Sequence, residues 1–279
     1  MKNSVKIYGI LVVSILGILM TYSITQMSKN TVVKKTNPAL FQQLQAQHEL
    51  VHQHALKTIK EEFTIPDEDW NTCMKTIENG IKADGLLSSN NESYQINVND
   101  SEIIQTTKRI LKEYGINPDK VQVNTVLKKG SKVDAMQDLD ENNGIIHIIE
   151  INVEWCNQFS KAMQEAFVRH EIMHILQYDC FEAGHLLALL QTHGYEPQEY
   201  EKNKAIINYY HQRELRADSL GTCQYLETAQ ALCEHYKEYV AKYDQTNPNK
   251  WLTHPSHAVR ADQLAQLINT INTSSIAVA

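Results

Sequence analysis

The sequence predicts an α+β fold, mainly helical, with a small mixed or antiparallel sheet and an apolar helix at its N-terminus. Three observations predict it. Long stretches with apolar residues at helical spacing and few prolines make up most of the chain. The best strand-like runs fall within one segment, Val121 to Val153. An apolar run from Tyr8 to Thr25, preceded by Lys2 and Lys6, opens the chain.

That run is long enough to cross a bilayer and longer than the usual apolar part of a signal peptide. Ser23-Ile24-Thr25 is a poor cleavage site, so an uncleaved anchor is favoured over a cleaved signal. Pro38 to Phe63 reads as a helix with a weak apolar stripe through Leu40, Leu44, Val51 and Ala55, either a stalk or packed on the domain that follows. Pro66 breaks it, and Glu68 to Ala83 follows as a second helix. The polar stretch from Asp84 to Asp100 is a loop or carries a short strand at Tyr94 to Val98. Ser101 opens a helix that closes near Gly115. Strands are expected at Val121 to Leu127, Val133 to Met136 and Ile145 to Val153, with His147 an ordinary sheet histidine. A helix from about Ser160 runs to Tyr178, another from Phe181 to His193, and one long helix from Asn203 to Tyr243.

The chemistry centres on His170-Glu171-Ile172-Met173-His174, set within the apolar residues Ala166, Phe167, Ile175 and Leu176. Helical residues four apart share a face, so His170 and His174 can offer two imidazole nitrogens to one metal ion. Glu171 lies about 100° round the helix and reaches a metal-bound water. Charged groups in such an apolar segment are costly unless something pairs them. A second copy, His48-Glu49-Leu50-Val51-His52, is flanked by five glutamines and reads as a polar, solvated helix face. Downstream, Glu214 and Asp218 are again four apart. Glu214 can be a carboxylate third ligand, and Asp218 can accept the free ring N–H of a ligating histidine. His211, three residues before Glu214, is a weaker candidate for a partner behind a ligand or for a fourth ligand in a resting state. His254-Pro255 followed by Arg260 can aim two groups at a developing oxyanion, with His257 an alternative to His254.

These three pieces, His170 to His174, Glu214 to Asp218 and His254 to Arg260, resemble in order the motifs of one family. It is the gluzincin zinc metallopeptidase family of the CAAX prenyl protease, the HtpX heat-shock protease and the OMA-like protease. The resemblance covers residues 101 to 270 and implies a zincin-like domain. It implies one Zn2+ per chain on His170, His174 and Glu214, with Glu171 as general base. It further implies Asp218 behind a ligand, His254 and Arg260 near the transition state, and a sheet edge within Val133 to Val153 that binds substrate peptides.

The expected organisation is an anchor or signal over residues 1–28, a helical extension and linker over 29–100, and the metallopeptidase domain over 101–272. Apolar content of 42% and 21% charged residues fit a globular chain. The net charge of −7, with no basic tract, disfavours nucleic acid as a partner. The expected function is endopeptidase cleavage of a protein or peptide substrate at or near a membrane, with the domain on the extracytoplasmic side. Secretion or periplasmic release after cleavage of the segment is the alternative localisation. A catalytically silent, membrane-tethered zinc scaffold or chaperone-like protein is the alternative function. Five cysteines form no metal pattern, and Cys180 is free to pair with Cys223 or Cys233 in an oxidising compartment.

Overall fold

The computed structural model describes residues 38–87, 100–126, 132–139, 144–243 and 254–276. The expected anchor, the strand at Tyr94 to Val98 and the turn at Gly130 lie outside these residues. Among the described residues, no helix is long and apolar enough to cross a membrane.

Helix α1 (Pro38–Glu62) buries Leu40, Phe41, His52, Ala55, Leu56 and Ile59. Pro66 precedes α2 (Asp67–Asp84), whose first turn carries Asp67, Glu68 and Asp69 at the positive end of the helix dipole. Gly85 ends it in the left-handed conformation, φ 66°. Helix α3 (Glu102–Glu113) buries Ile103, Thr107, Ile110 and Leu111, the spacing of a single helix face. A short 3-10 turn (Pro118–Lys120) leads into the sheet.

Strands β1 (Val121–Thr125), β2 (Val133–Leu139) and β3 (Ile145–Ile151) form one mixed sheet in the order β1-β3-β2. β1 pairs parallel to β3, and β2 pairs antiparallel to it with Ala135 opposite Ile149. Strand β3 alternates strictly, with Ile145, His147, Ile149 and Ile151 inward. His147 therefore sits on the apolar face, fully buried. Asp84 makes this possible by accepting its Nε2–H at 2.8 Å. β2 continues three residues beyond its expected end at Met136, because its full length pairs with β3.

A short α4 (Val153–Cys156) precedes the central helix α5 (Lys161–Leu176), capped by Ser160 Oγ on the Met163 N–H at 3.3 Å. α5 packs against β2, α3 and the later helices, so eleven of its residues are buried. It ends at Leu176, and Tyr178 reverses the chain in the left-handed conformation, φ 55°. Helices α6 (Asp179–Thr192), α7 (Pro197–Tyr200), α8 (Lys204–Thr222), α9 (Leu226–Tyr243) and α10 (His257–Ile276) complete the fold.

The long helix expected from Asn203 to Tyr243 is two helices, interrupted at Cys223 to Tyr225. At the break, Tyr225 lays its ring over the Arg169 guanidinium, 3.6 Å from the centroid, and its hydroxyl donates to Glu113. A continuous helix would forfeit this cover over an arginine only 1% exposed. No disulfide joins any of the five cysteines, all of which lie among the described residues.

The first His-Glu-x-x-His copy is not a solvated face. α1 lies along α8, and His52 is buried with its Nε2 at 3.1 and 3.2 Å from the two Glu182 carboxylate oxygens. The glutamines misled because they occupy the outer side of the same helix: Gln42, Gln43 and Gln47 are exposed. One apolar core joins Leu40, Phe41 and Ile77 of the first two helices to α5, the sheet and α10.

Candidate metal centre

The site begins with a close crossing of helices. A Cβ on Gly221 would lie 3.1 Å from the Arg169 carbonyl carbon and 3.2 Å from the His170 amide nitrogen. Glycine here lets α8 touch the backbone of α5. The crossing sets Glu214 and Asp218, on one face of α8, against His170 and His174 of α5.

His170 Nε2 and His174 Nε2 are 3.0 Å apart. Glu214 Oε2 is 3.4 Å from the first and Oε1 is 3.4 Å from the second. All three donor groups lie within 4.8 Å of one another and are largely enclosed. Behind them, His170 Nδ1 meets Asp218 Oδ1 at 2.8 Å and His174 Nδ1 meets Asp179 Oδ2 at 2.7 Å. With each Nδ1–H donated to a carboxylate, each Nε2 is left as a lone pair. Two lone pairs facing each other at that distance repel unless a proton or a metal ion stands between them. Glu214 Oε2 is also buried without a hydrogen-bond donor. The donor set thus fits zinc: two imidazoles and a carboxylate, converging, with the outer nitrogens held.

Electrostatics favour positive charge here. Burial pushes His170 down, but Asp218 and Glu214 outweigh it and carry its pKa up to about 8. For His174, burial is likewise overcome by Glu214 and Asp179, which raise it to about 10. Glu214 is opposed by burial yet held well below the usual carboxylate range by the two imidazoles. Asp218 is kept low against burial by Arg260 and His170.

Glu171 lies beside the two histidines on the same helix, and its Oε2 accepts the Ala135 N–H of β2 at 2.9 Å. Burial raises its pKa, and the two imidazoles pull it down without cancelling that rise. A carboxylate so placed is a competent proton acceptor. It lines a cleft of about 240 Å3 together with Ala135, His174, Tyr210, Arg213, Glu214 and His254.

His254 and Arg260 part company. His254 stands at the cleft, its side chain 49% exposed and its Nε2 3.6 Å from Glu214 Oε2. Arg260 grips both oxygens of Asp218 through Nε and Nη2, each at 2.7 Å, and brings Nη1 to 3.3 Å from Glu214 Oε2. Arg260 therefore braces the carboxylates from behind and does not line the cleft. His257 is buried and stacked on Tyr239 with centroids 4.1 Å apart, so it does not replace His254. His211 is not part of the converging set.

Asp179 is the residue that sequence reasoning missed. It is five residues after His174 and beyond the chain reversal, so helical spacing does not relate the two. Gln137 of β2 fixes that corner: its Oε1 accepts the Cys180 and Phe181 N–H groups at 3.0 and 3.1 Å, and its Nε2 donates to the Ile175 carbonyl at 3.2 Å. It caps α6 in place of Tyr178, whose side chain makes no capping bond. The signal available in the sequence was Arg213 and Arg216, both basic inside α8, which need a buried acid; Asp179 is paired with both.

Comparison with protein-family models, curated proteins and solved structures finds no match for this chain.

Proposed function

We propose that the chain is a zinc-dependent endopeptidase acting on proteins at or near a membrane, as the motif resemblance implies. The observation that carries the reading is the convergence of His170, His174 and Glu214, with Glu171 beside them on a cleft. Zinc held by these three residues would supply a Lewis acid for an attacking water and a scissile carbonyl. Glu171 takes the water's proton on its carboxylate and delivers it to the leaving amine. His254, the exposed donor at the cleft, hydrogen-bonds the oxygen that gains charge. Asp179 and Asp218 hold the two imidazoles with Nε2 turned toward Glu214, where zinc would be bound. β2 is one of the two outer strands of the sheet among the described residues, and its Asp134 and Ala135 wall the cleft, which favours an extended peptide lying along that wall. The membrane part of the proposal belongs to residues 1–28, and the cleft does not bear on it.

The test is digestion of an unfolded protein by the zinc-loaded chain beside Glu171→Gln. Loss of the general base should cost about 100-fold or more in rate while zinc stays bound. Equal activity in the two proteins would remove Glu171 from the mechanism. A silent zinc scaffold would leave both inert.

A further inference from the structure

Arg213 is the anomaly of the cleft. It lines the wall beside Tyr210, yet the residue is only 6% exposed. A guanidinium carries five N–H donors, and burying it is costly unless they are used. Here its one hydrogen bond is a long one, Nη1 to the Tyr209 hydroxyl at 3.5 Å. Its Nε is buried and faces Asp179 Oδ1 at 3.3 Å without the alignment of a hydrogen bond.

The nearby acids answer this only in part. Asp179 Oδ1 approaches Arg213 Nε to 3.3 Å, but it already accepts from Arg216, and Oδ2 accepts from His174. Glu182 is taken by His52 and by the Tyr209 hydroxyl, at 2.6 Å. Those bonds hold Tyr209 in place under the guanidinium, whose carbon is 5.1 Å from the Tyr209 ring and 5.5 Å from the Tyr210 ring. Arg213 is thus fixed in position, stacked and short of acceptors. Among the described residues lining the cleft it is the one guanidinium or ammonium group; Asp134, Glu171 and Glu214 are acidic.

We propose that Arg213 is a specificity-determining residue that binds a carboxylate of the peptide, either an acidic side chain or the free C-terminus. The planar fork of arginine matches the two oxygens of a carboxylate. Asp134 and Glu171, which also line the cleft, disfavour a carboxylate placed beside them. The inference rests on the peptidase reading for the ligand being a peptide, and it deepens that reading by naming a substrate class.

The experiment separates the two. The full-length Glu171→Gln chain, loaded with zinc, is titrated with four N-acetylated peptides, Ala-Leu-Xaa-Leu-Ala-Ala, where Xaa is Glu or Gln and the end is a free acid or an amide. At least one carboxylate-bearing peptide should bind about tenfold tighter than the neutral Gln amide. Which one identifies the source. Adding Arg213→Met should abolish the preference, and Arg213→Lys, which keeps the charge and guards against misfolding, should retain part of it. Four peptides that bind alike, or not at all, overturn the inference, as does a preference that survives in Arg213→Met. A preference accompanied by no cleavage in the zinc-loaded wild type would sink the peptidase reading and leave the carboxylate site standing.

Discussion

At His174 one imidazole is held between a carboxylate behind and two ligand groups in front, and that arrangement makes Asp179 testable. Asp179→Asn keeps the shape but removes the charge that orients His174; zinc affinity should fall about 10- to 100-fold, read by competition with a chelating dye. An unchanged affinity would show that Asp179 serves only Arg213 and Arg216. Gly221 offers a second test at this scale. An alanine Cβ there meets the α5 backbone, so the helices must part; about 1–3 kcal/mol of stability should be lost in urea unfolding, with weaker zinc binding. The converging residues were legible because helical spacing of four relates His170 to His174 and Glu214 to Asp218. Asp179 was not, because a left-handed residue stands between it and its partner. Arg260 was legible as a site residue, but which side of Glu214 it occupies depends on how α10 packs against α8.

Helices and strands were read best where the apolar period was clean, as in α3, α5 and β3. They were misread where a buried polar group decided the geometry. Arg169 needs the Tyr225 ring, so the chain breaks between α8 and α9. His52 needs Glu182, so α1 docks through a glutamine-rich sequence. Its docking rests as well on Leu56 and Ile59, in a second core with Tyr209. Leu56→Ala should therefore cost about 2–5 kcal/mol in urea unfolding, whereas a dangling stalk would show none. Asp84 joins three elements by accepting His147 Nε2–H and the Tyr178 hydroxyl, at 2.8 and 3.0 Å. Burial pushes its pKa up, but these hydrogen bonds and the Lys120 ammonium outweigh it and hold the group below its ordinary value. A depressed native pKa gives stability that is complete above the unfolded value of about 4 and is lost as pH falls through the native one. The urea midpoint should accordingly drop in that acid window, and Asp84→Asn should flatten the drop.

For the molecule as a whole, the mainly helical α+β class with a small mixed sheet followed from pattern. The sharing of one core by the first two helices and α5 did not, since contacts far apart in sequence leave no local trace. If zinc binds the folded chain alone, free zinc at a hundred times its dissociation constant adds about 2.7 kcal/mol of stability. Because His170 and His174 are raised toward about 8 and 10 without metal, zinc must displace their protons. Affinity should therefore climb steeply from pH 6 to pH 9. The measurement that tests the central claim most directly is the zinc content of the purified full-length chain beside its Glu214→Ala variant. The account predicts about one zinc per chain, lost in the folded variant. A folded wild type that takes up no zinc, or a variant that keeps it, would contradict a centre built on His170, His174 and Glu214.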